Sequence, residues 1–271
     1  MKLSCLPVSL FPDLISGKMK MAEWLAFAKE CGYDGADISV HFLPIRSVRQ
    51  IDDMKKVIDD SGIRIEMMTT YPDFTTPDDT RREIELCHAL SDIALASSLG
   101  IRYVRLTAGQ YYPGEDEYQA IVNAVECFKV CCEKANKLGV KLLIENHSKP
   151  GAWEREDFDF NMRRFMALLD KLKGLPVGVN FDTANAFILG EDAVALFEKI
   201  YDRVETIHVN DASRVGELAF CMVGEGRSPI KGVLEAAKAR GFNGLVSIEE
   251  ASFRGKEGIA HAARYVRSLM G

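Results

Sequence analysis

One punctuation mark recurs along the chain and constrains its fold more than any other feature. A stretch of helical pattern ends in glycine, one or two further residues follow, and a short apolar run begins. The mark stands at Cys31-Gly32-Tyr33-Asp34-Gly35, Ser61-Gly62-Ile63-Arg64, Leu99-Gly100-Ile101-Arg102, Leu138-Gly139-Val140-Lys141 and Arg240-Gly241-Phe242-Asn243. Glycine just past a helix end takes the left-handed cap without a Cβ penalty, so each mark reads as a helix stop followed by a strand start. The short apolar runs, including one at the start of the chain, are residues 3–8, 36–40, 63–69, 103–107, 140–145, 177–182, 204–209 and 245–249. Near-continuous apolar strands separated by helices predict a parallel sheet covered on both faces.

The segments between them carry helical periodicity. Met21, Trp24, Leu25 and Ala28 share one stripe, as do Ile84, Cys87, Leu90 and Ile93, and Phe165, Leu168, Leu169 and Leu172. Eight strand–helix units in 271 residues predict a single (β/α)₈ TIM barrel occupying residues 1–271 as one domain. A doubly wound open sheet is the structural alternative, but no G-x-G-x-x-G follows the first strand, where a dinucleotide site would require one.

Composition excludes other classes. The chain is 47% apolar and 27% charged, and its 34 basic and 40 acidic residues give a net charge of −6. That balance lacks the basic footprint of a nucleic-acid partner. No stretch approaches the roughly 18–20 continuous apolar residues of a membrane helix. Pro7 and Pro12 interrupt the N-terminal apolar residues and no small-residue cleavage site follows, so no signal peptide is expected. The seven cysteines form no C-x-x-C, which fits reduced thiols and a cytoplasmic location.

In a barrel of this kind the active site is built at the C-terminal ends of the strands. Those ends read Ile144-Glu145-Asn146-His147, Phe181-Asp182-Thr183-Ala184-Asn185, His208-Val209-Asn210-Asp211 and Ile248-Glu249-Glu250. Glu145, Asp182, His208 and Glu249 thus come from four consecutive strands and converge on one point. Each alone reads more readily as a helix cap, a solvated charge or a packing histidine than as a functional group. Together, three carboxylates around one point raise each other's pKa, and a divalent cation relieves them. Oxygen ligands with one nitrogen suit Mn²⁺ or Mg²⁺, with Zn²⁺, Co²⁺ and Fe²⁺ also compatible. His147 follows a ligand closely and is a candidate substrate contact, as are His41 just past the second strand and Trp153 in the loop after the fifth. Glu66 and Arg105 lie within strands and read as buried ion-pairing residues.

These motifs resemble the xylose isomerase-like TIM-barrel superfamily, which includes sugar isomerases and epimerases, inosose dehydratases and abasic-site endonucleases. Gly32-Tyr33-Asp34-Gly35-Ala36-Asp37 and the loop Val223-Gly224-Glu225-Gly226 add to the likeness, which covers almost the whole chain. The resemblance implies one divalent metal held by Glu145, Asp182, His208 and Glu249, a small sugar or cyclitol substrate, and association into homodimers or homotetramers. In the ketose 3-epimerases it also implies that Glu145 and Glu249 serve as acid and base, through a metal-stabilised enediolate. Such epimerases carry an arginine six residues past the seventh-strand histidine, where Arg214 stands. Three positions depart from the pattern. Asn185 replaces a histidine and keeps only hydrogen-bonding capacity toward a substrate hydroxyl. Gly151 replaces a glutamate, and Arg227-Ser228-Pro229 replaces a loop aspartate. The expected activity is a metal-dependent sugar isomerase or epimerase, with dehydration of an inosose-like or sugar-acid substrate as the alternative. The endonuclease chemistry of the family implies a three-zinc cluster with several more histidines, including the one replaced by Asn185. Five histidines and a net charge of −6 count against it, and four complete ligands count against a non-catalytic barrel.

Overall fold

A computed structural model describes residues 1–43, 47–148 and 154–271. Eight strands appear within two residues of the predicted limits: β1 (Lys2–Leu6), β2 (Gly35–Ser39), β3 (Arg64–Thr69), β4 (Tyr103–Leu106), β5 (Lys141–Glu145), β6 (Val177–Asp182), β7 (Val204–Val209) and β8 (Leu245–Glu249). All seven ladders are parallel, in the order β1-β8-β7-β6-β5-β4-β3-β2. This is the nearly closed sheet of a single (β/α)₈ barrel. The glycines that punctuate the sequence do what their position predicts: Gly32, Gly62, Gly100, Gly139 and Gly241 all have φ between 63° and 81°.

The helices are α1 (Phe11–Ile15), α2 (Met21–Glu30), α3 (Val48–Ser61), α4 (Asp79–Ser98), α5 (Glu117–Leu138), α6 (Met162–Lys171), α7 (Thr183–Ile188), α8 (Ala193–Ile200), α9 (Ile230–Ala239) and α10 (Gly255–Met270). Their apolar stripes pack on the outward strand residues. Leu142, Ile144, Val179, Phe181, Ile207, Val246 and Ile248 meet Phe128, Phe165, Phe197, Val233 and Ile259 in one continuous core. The residues between them on the strands face inward, because successive side chains alternate. At one level Met67, Tyr103, Leu143 and Leu245 form a small cluster of their own. Two residues further along the strands come Arg105, Glu145 and Ser247, and then Glu249. The alternation that fills the barrel with apolar side chains at one end therefore delivers charged ones at the other.

The join between β1 and β2 is different. No ladder connects them among the described residues; three bonds hold them instead, and a fourth ties β8 to β2. Asp34 N–H donates to the Leu3 carbonyl and Leu3 N–H to Asp34 Oδ2, each at 2.8 Å. Ser4 Oγ donates to Asp37 Oδ2 at 2.9 Å, and Ser247 Oγ from β8 donates to the same oxygen. Burial pushes the Asp37 carboxyl up to about 6, against these hydroxyls and the His208 imidazole, which favour its charge.

All seven cysteines are free. Among the described residues no helix is long and apolar enough to cross a membrane.

Candidate metal centre

Glu145 and Asp182 are the last residues of β5 and β6, His208 is the penultimate residue of β7, and Glu249 ends β8. All four are buried, and a ligand atom from each lies within 4.8 Å of every other. His208 Nδ1 is 2.9 Å from Glu145 Oε1 and 3.1 Å from Glu249 Oε2. Asp182 also caps α7, its Oδ1 accepting the Asn185 N–H at 2.6 Å. Its Oδ2 is buried with no hydrogen-bond partner, and so is His208 Nε2. An unsatisfied Asp182 oxygen, buried beside ligand atoms of Glu145, His208 and Glu249, fits a divalent cation of the Mn²⁺ or Mg²⁺ type.

Electrostatics agree with that fit. Burial alone would raise the Glu145 carboxyl, but the His208 and Arg105 charges beside it hold it below the ordinary carboxylate range. Burial pushes Asp182 well up, and the neighbouring Glu145 and Glu249 charges push it further. Burial disfavours the His208 imidazolium, yet Glu145 and Glu249 together hold its proton well above the usual histidine range. Without an ion the cluster stores protons that an ion would displace.

Three neighbours that the strand-end reading passed over shape the centre. Arg105, from β4, is fully buried and places Nε 3.0 Å from Glu145 Oε2; Glu66 pairs with Lys2 instead, at 3.6 Å. Asn146 uses its side-chain amide as an extra peptide group. Its Nδ2 donates to the Asp182 carbonyl at 2.9 Å and its Oδ1 accepts the Asp182 N–H at 2.8 Å, so the β5–β6 pairing continues one step beyond β5. Tyr71 lies under the Arg105 guanidinium, 4.9 Å from its ring centroid. Strand alternation placed Arg105 inside the barrel, but its partner depends on register between β4 and β5. Asn146 had an overlooked signal, since it stands one residue past a strand end with a neighbouring strand that runs further.

The other predicted contacts are placed unevenly. His147 is buried, its Nδ1 2.6 Å from Asp157 Oδ1, and its Nε2 is buried without a hydrogen-bond partner. The His41 ring stacks on Tyr71 at 5.2 Å and 4°, and Tyr71 lies 6.1 Å from the His147 ring, so the two histidines flank one tyrosine. Asn185 is buried in the first turn of α7 with its side-chain Oδ1 unpartnered. Arg214 projects into solvent from the loop after β7 and pairs with Glu217 at 3.3 Å, so the structure does not bring it to the four ligands. Trp153 and Gly151 lie outside the described residues. A cavity of about 960 Å³ opens beside His41 and Tyr71 and runs between α3 and α4, past Ile51, His88 and Asp92; none of the four ligands lines it.

The loop after β7 explains the Gly-Glu-Gly motif. Asp211 accepts the backbone N–H groups of Gly224, Gly226 and Ser228 at 2.8, 2.9 and 3.1 Å. A Cβ on Gly226 would stand 2.2 Å from Asp211 Oδ1, so only glycine lets the loop close on that carboxylate.

The profile of the xylose isomerase-like TIM barrel matches residues 25–269. The chain belongs to that family. Two curated relatives, the inosose dehydratases of Lacticaseibacillus casei and of its strain BL23, are each 23% identical over 151 residues, which is 50% of this chain and 47% of theirs. The match thus spans about half the length of these relatives. Among solved structures, the probable 3-DHS dehydratase AsbF of Bacillus anthracis superposes with a TM-score of 0.80 at 16% identity, covering 98% of this chain and 99% of that one. The D-psicose 3-epimerase of Clostridium cellulolyticum H10, solved with D-tagatose, gives 0.80 at 15% identity over 100% and 99%. At such identities these structures establish the fold that this xylose isomerase-like barrel shares with epimerases and dehydratases.

Proposed function

We propose that this chain is a divalent-metal-dependent enzyme that moves a proton at the carbon next to a carbonyl of a sugar or cyclitol, as an isomerase or epimerase. The observation that carries the reading is the buried meeting of Glu145, Asp182, His208 and Glu249 within 4.8 Å. These four would hold the ion, with Mn²⁺ or Mg²⁺ best suited to the donor set. Bound there, the ion supplies Lewis-acid stabilisation of charge developing on the substrate carbonyl, worth several kcal/mol.

The chain's own groups do the rest. Glu145 and Glu249 enter the centre from β5 and β8, and we assign them the taking and returning of the proton. His147 is oriented by Asp157, which leaves Nε2 to hydrogen-bond a substrate hydroxyl. Asn185 offers its unpartnered Oδ1 to another, and His41 stacked on Tyr71 forms an aromatic wall beyond them. We assign Arg214 no contact, because it stands in solvent beside Glu217. Association into dimers or tetramers, implied by the resemblance, is part of the same proposal.

A second reading is dehydration, in which proton abstraction is followed by departure of a hydroxyl. Two observations favour it. The His147–Asp157 pair supplies an imidazole that, when protonated on both nitrogens, donates a hydrogen bond from Nε2 to a departing oxygen. The curated relatives are inosose dehydratases.

One experiment separates these readings. Mn²⁺-loaded protein is incubated with ketoses and inososes in D₂O and followed by proton NMR and mass spectrometry. Deuterium entering next to the carbonyl reports the shared step, a new sugar isomer reports the isomerase, and loss of water reports the dehydratase. Glu145→Gln and Glu249→Gln should each abolish turnover while circular dichroism stays unchanged. Full turnover by either variant on a confirmed substrate would overturn the two-glutamate mechanism.

A further inference from the structure

We propose that Arg105 is a positioning residue for this centre and acts through Glu145: it occupies the Oε2 side of that carboxylate and so presents Oε1 alone to the ion. The inference rests on the metal reading above and goes beyond it, because Arg105 belongs to none of the four ligands.

The two oxygens of Glu145 have different neighbours. Oε1 lies 2.9 Å from His208, inside the quartet, whereas Oε2 lies 3.0 Å from Arg105 Nε. Neither Arg105 Nε nor Glu145 Oε2 makes a hydrogen bond, so their ion pair at 3.0 Å is what compensates both in a fully buried place. Arg105 is itself held from three sides. Its Nη1 donates to the Thr70 carbonyl at 3.3 Å, and its guanidinium lies 4.9 Å from the centroid of Tyr71. Its own carbonyl accepts the Thr70 N–H at 2.9 Å and the Thr70 hydroxyl at 3.1 Å. The hydrogen bond and the ring contact set the place of the guanidinium, and the carboxylate facing it is oriented with it.

Charge balance points the same way. Three carboxylates and a divalent ion leave one negative charge, and Arg105 brings the buried centre to neutrality. Net charge in such a place is costly, and outer groups that orient ligands control metal affinity nearly as strongly as the ligands do.

The test titrates the purified full chain with MnCl₂ by calorimetry and records the visible spectrum after Co²⁺ loading. Arg105→Met should bind Mn²⁺ about 10- to 100-fold more weakly and change the Co²⁺ spectrum, because Glu145 is released to engage through both oxygens. Arg105→Lys keeps the charge and should recover most of the affinity. In a Glu145→Gln background, Arg105→Met should cause no further loss, since no carboxylate remains to be oriented. Circular dichroism checks folding, and if Arg105→Met fails it, Arg105→Gln replaces it in both backgrounds. Parent-like affinity and spectrum in the single variant, or an equal further loss in the Glu145→Gln background, would overturn the role of Arg105 while leaving the metal reading intact. Absence of Mn²⁺ and Co²⁺ binding by the parent would overturn both.

Discussion

Asn146 offers the sharpest separation of metal positioning from general stability. Its side chain makes two buried bonds to the main chain of Asp182, at 2.9 and 2.8 Å, and so bears on the ion site through that residue. Asn146→Leu keeps the number and branching of side-chain heavy atoms, so no cavity opens and the cost counted is that of the lost polar partners. The Asp182 N–H is left without an acceptor, which costs about 1–3 kcal/mol for a buried donor. The Asp182 carbonyl loses one partner, but as the first acceptor of α7 it keeps another, so roughly 1 kcal/mol is lost there. The sum is about 2–4 kcal/mol, or a fall in Tm of about 4–8 °C at this chain length. Asp182 is then free to shift, and Mn²⁺ affinity should drop about 10- to 100-fold. Asn161→Ala is the control. Asn161 caps α6 through the Arg164 N–H at 3.2 Å, away from the quartet, and its loss should cost about 1 kcal/mol with unchanged metal affinity. Denaturant unfolding in EDTA and Mn²⁺ calorimetry give the two numbers for each variant. Parent-like metal affinity in Asn146→Leu, or a stability loss below about 0.5 kcal/mol, would refute the role assigned to this side chain.

Two further outcomes are expected. Elemental mass spectrometry of the purified protein should find about one equivalent of divalent metal, and His208→Ala should lose it; retention by the variant would remove His208 from the ligand set. The Asp159 carboxyl, buried where it accepts the Ala108 N–H, is pushed up by burial to about 8 from 3.8. Below about pH 4 the folded and unfolded chains both hold its proton, and between pH 4 and 8 only the folded chain does. Its contribution to stability therefore falls as pH rises through that window and levels off above it. Asp159→Asn keeps the acceptor and should flatten that fall relative to the parent in unfolding curves at pH 5 and pH 8; an identical pH dependence would count against the assignment.

Much of this architecture is legible in the amino-acid order itself, for a local reason. Strand limits are announced by glycines that only a left-handed cap requires, and the strand-end acids Glu145, Asp182 and Glu249 sit where a barrel gathers them. What escaped was cross-strand detail. Arg105 reads as a strand arginine whose partner is unknown until β4 and β5 are in register, and Asp157 reaches His147 from ten residues away across a loop. Asn146 acts on a neighbouring strand's backbone, a role that no side-chain pattern displays. Arg214 shows the converse. Spacing put it at a family position, and the structure shows it in solvent beside Glu217, three residues on.

The bonds that join β1 to β2 in place of a ladder bear on how the barrel is put together during synthesis. Among the described residues β1 finds its only ladder partner in β8, with Leu6 opposite Glu249. As the chain emerges, β2 through β7 can add to one another in order, each beside the strand made just before it. β1, the first of the eight to be made, has no ladder to join until the last one arrives. The same late strand carries Glu249. Closing the ring and completing the four-ligand set are thus one event, and an ion has its whole nest only once the barrel is shut.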